Sequence, residues 1–497
     1  MHGVSLTLRN LSGKLAIAAL IICGLASLAL WASVPGLGPL RGLSLLDYLP
    51  RYFALFALYL AAFLIFSRTL PHPHTPKLIF LFALLFRLPL LTTPPTLSDD
   101  VYRYLWDGNV QNAGVNPYAH RVDSPALDGL ATPTRALVNN PQMASPYLPA
   151  AQIVFAVVYR LFPELVTAFQ VVAMLFDLAT GLLIMALLRR LGRQPAWAIV
   201  YLWNPLIVAE FAHGAHIDAL MVMLMMGGLL AMTNERYFVL RITYSVLSPL
   251  LLGLATLVKP IPILLLPILL PRWGWKRTAI YGLTVFVGLA VYSGAGWGLT
   301  TPLDAGTGLF GATRLYLSRW NFNGGLYHWL EVFVTGYKTE GAVPTGTPGI
   351  ETAKMICAGL LLVILVVVFW RSKQLPTTEA AKLWIAPIFA YLLLTPTVHP
   401  WYLAPLIALL PFSLFPCFPV SLSSLYLSTS ISLSYLTYLD PLNLRETEFV
   451  RRWEYWPVYG LLLSGALARA LRQRHRGHVA ETEQVDDEPG DEAPSPL

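Results

Sequence analysis

Charge is scarce in this sequence. Only 12% of its 497 residues are Asp, Glu, Lys or Arg, against about a quarter in soluble domains. Cysteine is scarcer still: Cys23, Cys357 and Cys417 are the whole supply, each inside an apolar run. With no CxxC or Cys/His spacing, neither a disulfide framework nor a zinc site is indicated. A P-loop, a dinucleotide fingerprint and a nucleophile elbow are also missing, so a nucleotide-sugar donor finds no support. No internal repeat is visible. What is abundant is apolar: 56% of residues are hydrophobic and mean hydropathy is +0.59. A soluble fold is excluded, and an integral membrane protein follows.

A membrane span needs roughly 20 apolar residues in a helix. The runs Lys14–Val34, Arg51–Phe66 and Leu78–Leu91 open the chain. The first reads as a retained anchor, because more spans follow and no convincing cleavage site is present. Leu165–Leu188 ends on Arg189, Arg190 and Arg193, which the positive-inside bias puts in the cytoplasm. Pro146–Phe162 is too short for a span and reads as a juxtamembrane or re-entrant helix. Continuing this alternation to Tyr455–Leu471 gives an all-α polytopic protein of 13–14 spans with both ends cytoplasmic. Two large loops then face outward, about 94–164 and 296–351. Aromatics are 12% of the chain, as suits rings at the membrane interface.

Net charge is +7, and it is uneven. Beyond Gly477 seven acids occur without Lys or Arg, leaving 34 basic and 20 acidic residues in the rest. The tail, 472–497, reads as disordered, acidic and cytoplasmic. A basic body suits anionic headgroups or phosphate-bearing substrates, although topology alone accounts for part of it.

The most chemically loaded stretch is Ser98-Asp99-Asp100-Val101-Tyr102-Arg103-Tyr104-Leu105-Trp106-Asp107-Gly108, at the outer end of the third run. Ser98 is placed to cap a helix whose first turn holds both acids. Asp99, Arg103 and Asp107 are four apart and share a face, while Val101, Tyr104 and Leu105 form an apolar side. A helix lying in the interface is predicted, ended by Gly114, Asn116 and Pro117. A carboxylate there could take a proton from an attacking hydroxyl. Read blandly, the acids only cap a helix.

Three more polar groups sit at predicted outer span ends. His213, His216 and Asp218 form one. His-x-x-His-x-Asp could ligate a metal, could hydrogen-bond a substrate, or could be merely a polar hairpin end. Lys259, before Pro260, is a phosphate-binding candidate, with snorkelling to headgroups as its alternative. His399, Trp401 and Tyr402 could line a cavity or anchor the interface. Arg314 and Arg319 in the second loop are further phosphate or lipid ligands. Asp177 lies within a span and is left without a role.

Taken together, the stretch 98–108, Gly114-Val115-Asn116-Pro117-Tyr118, Trp203-Asn204-Pro205-Leu206 with Glu210, His213–Leu220, Lys259-Pro260 and Thr395–Tyr402 resemble the GT-C superfamily of polyprenyl-phosphate-sugar-dependent glycosyltransferases. The closer resemblance is to its bacterial mannosyltransferase-like branch. It implies a GT-C-like catalytic domain over 77–471, preceded by two extra helices in 1–76. It implies transfer of a hexose, mannose above others, from a polyprenyl-phosphate donor to a lipid or glycan acceptor, with inversion. The reaction would occur on the extracytoplasmic side of the plasma membrane. Asp99 or Asp100 would be the general base, the resemblance not choosing between them. Tyr102, Arg103, Trp106, Asp107, Asn116, Tyr118, His213, His216, Asp218, Lys259, Arg314, Arg319, His399, Trp401 and Tyr402 would bind substrate, with no metal or other cofactor. Partners would be the donor, the acceptor and membrane lipids, not nucleic acid. A transporter or flippase, and a polymerase or ligase of lipid-linked saccharides, are the alternatives. A transporter would place polar groups midway across several spans, whereas here they gather at one end.

Overall fold

The computed structural model describes residues 13–68, 72–233, 238–336, 347–413, 418–439 and 447–486, with the backbone alone at 13, 238–244, 418 and 472–486. Among these residues the fold is helical throughout, its only β contacts being two isolated bridges at Thr397. The first six helices are α1 (Gly13–Ser33), α2 (Ser44–Ser67), α3 (Thr75–Arg87), α4 (Asp100–Asn112), α5 (Pro149–Leu161) and α6 (Val166–Arg190).

The apolar runs all fall on helical backbone where described, but they differ in length. Among the described residues seven stretches are long and apolar enough to cross a membrane: Lys14–Leu37, Ser44–Ser67, Thr75–Thr92, Val166–Arg190, Ile261–Ala295, Ile350–Lys373 and Thr377–Leu394. An eighth, Pro195–Leu202 with Pro205–His213, is bent by 63°. Other runs, such as Asp218–Met232 and Pro400–Phe412, are shorter helices. The expected 13–14 full spans are therefore not full spans throughout. Proline is one reason: at 205 it follows a backbone that Asn204 has already turned, the Asn204 side chain accepting from Leu206 N at 3.0 Å. Ile261–Ala295 is the opposite case. Gly274 inside it has φ +65°, outside any helix, and the chain reverses there. Leu257, just before the first arm, accepts from Ala150 N. Tyr292, ending the second arm, donates its hydroxyl to Gln111 at 3.0 Å. Both ends thus meet the same loop, so this stretch is a hairpin, as its two separate runs predict.

Small residues set the helix approaches, as is usual where apolar lipid offers no driving force between helices. A Cβ on Gly24 of α1 would lie 2.6 Å from the Phe82 ring of α3, and one on Gly181 of α6 2.3 Å from Leu202. Polar glue joins α3 to α6: Arg87 donates through Nε to Asp177, both side chains fully buried. This gives Asp177 the structural role that the sequence left blank.

One apolar core runs without a break from Leu20 to Val458. The first two helices pack into it. Tyr52 of α2 donates to the Ser428 carbonyl at 3.4 Å, and Tyr59 to the Val200 carbonyl at 3.0 Å. At the other end, the last helix, Glu448–Asp486, continues past the composition change at 472. The expected disordered tail is therefore helical in backbone to Asp486, and 487–497 lie outside the described residues.

The loop after α3 is a packed layer, not a single helix on the interface. α4 begins one residue later than the capping pattern predicts: Asp99 occupies the cap position, and Ser98 Oγ accepts from Asp100 N at 3.3 Å. Val101, the run Arg103–Gly108 and Val110 are buried. Burial is this complete because α5 lies directly on α4 at Gly108, where a Cβ would meet the Phe155 carbonyl at 2.5 Å. Gly114, at φ +82°, ends the helix as predicted.

Candidate functional site

The N-terminus of α4, the bend at 213–218, Lys259 and the segment 395–402 come together. They are about 300 residues apart in the chain and share one end of the helix bundle. His216 is the joint between them. Its Nδ1 lies 3.6 Å from Asp100 Oδ2, and its Nε2 lies 3.4 Å from Glu210 Oε2. Neither contact has hydrogen-bond geometry. The imidazole stacks on Trp401 at 3.9 Å between ring centres. Trp401 stacks on His399 at 4.6 Å, and His399 on Phe322 at 4.7 Å. Four rings therefore form a column that ends at the Asp100 carboxylate.

The local chain is shaped to present His216. Residues Ala209–His213 form a π-helical turn, a wide turn found often at functional sites. Ala215 follows with φ +57°, an uncommon conformation for a residue with a Cβ. Gly214 between them has no room for a side chain: a Cβ would lie 2.6 Å from the Glu210 carbonyl and 2.8 Å from the His216 ring. Asp218 then opens the next helix and accepts from Lys259 Nζ at 2.6 Å. Lys259 also lies 5.0 Å from the Tyr402 ring centre. His213 Nε2 is 3.3 Å from both the backbone N and Oγ1 of Thr96. Glu210 Oε1 accepts from Tyr435 at 2.5 Å.

The two adjacent aspartates are in different situations. Asp99 is ion-paired: Arg41 Nη2 lies 2.5 Å from its Oδ1, with the two side chains 35% and 36% exposed. Arg41 is held in turn by the Thr96 carbonyl at 2.7 Å and lies over the Tyr438 ring. Asp100 accepts one neutral hydrogen bond, from Asn139 Nδ2 at 2.9 Å, and faces His216 with its other oxygen. Its side chain is 17% exposed. Burial, with Lys259 second, pushes the His216 imidazole well below the ordinary histidine range. The same two causes take His399 to about 3. Both rings are neutral near pH 7, which suits a stacked column. Tyr102 lies beside the Asp99–Arg41 pair, and burial followed by Asp99 pushes its phenol up.

Asp99, Asp100, Tyr102, His213, His216, Asp218, Lys259, His399, Trp401 and Tyr402 are thus brought together at one end of the bundle. The other predicted ligands are engaged in holding loops. Arg103 donates to the carbonyls of Asn139, Asn140 and Met143 at 2.8–3.2 Å. Asp107 accepts from Ser145 at 2.5 Å and Gln152 at 3.0 Å, and burial raises its carboxyl above the usual range. Asp99, Arg103 and Asp107 thus serve three different partners rather than one shared face. Trp106 is buried beneath Arg135. Asn116 donates to the Tyr292 carbonyl, and Tyr118 to that of Tyr147. Arg314 donates to the Gly298 and Thr301 carbonyls, and Arg319 pairs with Asp304 at the surface. Arginine and tyrosine beside a carboxylate look the same in sequence whether they bind a ligand or a backbone.

Arg41, Asn139, Phe322 and Tyr435 are the site residues that sequence reasoning did not reach. Arg41 stood as one basic residue in a short link, with no local pattern to mark it. Among the described residues no group of three or more His, Cys, Asp or Glu side chains is arranged to hold a metal ion. The His213, His216 and Asp218 side chains are directed instead to Thr96, to Asp100 and Glu210, and to Lys259.

A family model described as alpha-(1->6)-mannopyranosyltransferase, N-terminal domain, of the MptA_B family, matches residues 12–275. That is more than half of the chain. The matched part starts at α1 and holds Arg41, both aspartates, the 213–218 bend and Lys259. No curated protein matches the chain.

Proposed function

This chain belongs to the alpha-(1->6)-mannopyranosyltransferase (MptA_B) family, and from that premise we propose that it moves mannose from a polyprenyl-phosphate donor to a lipid or glycan acceptor, by GT-C-type chemistry. The plasma membrane is its place of work, with the reaction on the extracytoplasmic side. Asp100 is the base. It takes the proton of the acceptor hydroxyl as that oxygen bonds to the anomeric carbon. The bond from this carbon to the phosphate oxygen breaks on the opposite side, with inversion, and polyprenyl phosphate leaves.

The single observation that carries this reading is the contrast between the two aspartates. Asp99 has an arginine on it, while Asp100 has a neutral amide on one oxygen and a neutral imidazole near the other. A base must hold its proton only transiently and within reach of the reacting hydroxyl, and a carboxylate already committed to an arginine is the poorer one. The His399–Trp401–His216 column, its ring faces covered by one another, holds the His216 edge against Asp100. Arg41, partly exposed, is the cation best able to turn toward the departing phosphate. Lys259 is committed to Asp218 and orients the bend.

The experiment is transfer by the purified chain, with synthetic polyprenyl-phosphate-mannose and a membrane lipid extract, products being read by mass spectrometry. Wild type yields mannosylated product and Asp100→Asn yields almost none. Equal product from both would overturn the assignment. Translocation of the lipid-linked sugar in vesicles without transfer would replace the enzyme with a flippase.

A further inference from the structure

A cavity lies on the other side of the 320–322 segment from the ring column. It has a volume of about 240 Å³, with walls that include Trp320, Asn321, Tyr327, Glu331, Glu351 and Lys354. None of these side chains takes part in the site around Asp100. We propose that this cavity is a saccharide subsite, holding mannosyl units of the acceptor glycan that do not themselves react. The proposal rests on the transferase reading above.

Three features carry it. The first is position. Residues 320–322 run extended beside Thr397: Phe322 N donates to the Pro396 carbonyl at 3.1 Å, and Val398 N to that of Phe322 at 2.8 Å. Side chains of an extended segment alternate in direction. Asn321 faces the cavity, where its amide donates to Glu331 at 2.9 Å. Phe322 faces the other way and stacks on His399. The cavity and the column that leads to Asp100 thus share a wall one residue thick. A second connection runs from Trp320, stacked on Tyr316, to Tyr402 through a 2.8 Å hydroxyl contact.

The second feature is chemistry. Saccharides are bound by aromatic faces together with carboxylates and amides that accept and donate to hydroxyls. Trp320 supplies the ring here, while Tyr327 is buried and holds Glu331 through its hydroxyl. Glu331 is 1% exposed as a residue and lines the cavity. Its carboxylate accepts from the Tyr327 hydroxyl at 2.8 Å and from Asn321 at 2.9 Å. Each carboxylate oxygen has a further acceptor site, so the group is fixed in place yet able to take sugar hydroxyls. The third feature is charge. The described lining carries Arg319 and Lys354 against Glu331 and Glu351, and its cations are already occupied. Arg319 pairs with Asp304, and Lys354 bonds the Leu317 and Ser318 carbonyls and Glu351. Among the described lining residues the charges balance, which favours a neutral polyhydroxyl ligand over a lipid phosphate.

The test is calorimetric titration of the full detergent-purified chain with alpha-(1->6)-linked mannotriose, and with a glucose trimer of the same linkage. Mannotriose binds wild type, and the glucose trimer binds at least tenfold more weakly. Trp320→Ala and Glu331→Gln each weaken mannotriose tenfold or more, and Trp320→Phe recovers most of the loss. Should Trp320→Ala not fold, the near-isosteric Glu331→Gln decides alone. The proposal is overturned if wild type binds no trisaccharide, if the lining variants bind it as wild type does, or if polyprenyl phosphate without sugar displaces it from the cavity variants and wild type alike. Running the transfer assay on Asp100→Asn separates the two readings. If that variant transfers normally, the catalytic assignment fails. If transfer needs Asp100 while affinity ignores Trp320 and Glu331, only the subsite fails.

Discussion

Arg41 Nη2 rests 2.5 Å from Asp99 Oδ1, although the two residues come from opposite sides of α2 and α3. This contact separates two neighbouring acids that share every local feature of the sequence. It also brings the first two helices into the site, since the link between them carries the arginine.

Asp100→Asn and Asp99→Asn should therefore differ in transfer rate. Loss of a positioned general base costs about 10²–10⁴-fold, and Asp100→Asn falls in that range. Asp99→Asn stays within about tenfold of wild type, because exposed pairs of this type contribute only about 0–1 kcal/mol. Initial rates on polyprenyl-phosphate-mannose check it. An Asp99→Asn rate as low as that of Asp100→Asn would show that both acids are needed.

Arg41→Ala should raise KM for the donor more than it lowers kcat, because the guanidinium is assigned to the phosphate. Arg41→Lys should restore part of the affinity but not all, since an ammonium lacks the planar fork. Steady-state kinetics with donor varied at fixed acceptor measure the split. A pure kcat effect would assign Arg41 to holding the Thr96–Asp99 loop.

Gly214→Ala should silence the enzyme without touching a polar group. The added methyl would lie 2.8 Å from the His216 ring and 2.6 Å from the Glu210 carbonyl, a fixed backbone atom. The ring has to give way. Displacements of about 1 Å at a reacting site cost on the order of a hundredfold in rate. Overpacking adds about 1–3 kcal/mol of destabilisation. Rate and thermal midpoint of the same preparation report the two effects separately.

Asp177→Ala should destabilise the bundle by about 3–5 kcal/mol, the usual cost of orphaning one member of a buried pair. It leaves the Arg87 guanidinium in a fully buried place beside the Leu202 carbonyl. The double substitution Arg87→Met with Asp177→Leu should recover much of that loss. Unfolding in detergent checks both, and a milder single than double variant would contradict the pairing.

Acid should weaken the fold through the ring column. His216 and His399 are held below the ordinary histidine value by burial and by Lys259, His399 at about 3. The unfolded chain takes up protons at these positions near pH 6.5 while the folded chain resists them. Their contribution is thus complete above about pH 6.5 and is lost as pH falls from there toward 3. Thermal midpoints between pH 7.5 and 4.5 should decline, and His399→Gln should flatten part of the slope. An unchanged slope would mean that His399 does not contribute.

The sequence by itself determined that this chain is helical and lives in a membrane. Run length and hydropathy are sums over neighbours, and a 20-residue apolar stretch has no other place to go. It also marked Asp99, Asp100, His213, His216, Lys259 and His399, because polar groups at the ends of apolar runs stand out. Tertiary structure alone decided which partner each of them meets. Arg103 and Arg41 are alike on paper. One donates to three carbonyls of its own loop and the other to Asp99, since partners that are distant in sequence fix where a guanidinium points. The hairpin at Gly274, the 63° bend at Asn204 and the stacking of Phe322 on a histidine 77 positions away likewise depend on packing between helices, which no local pattern records.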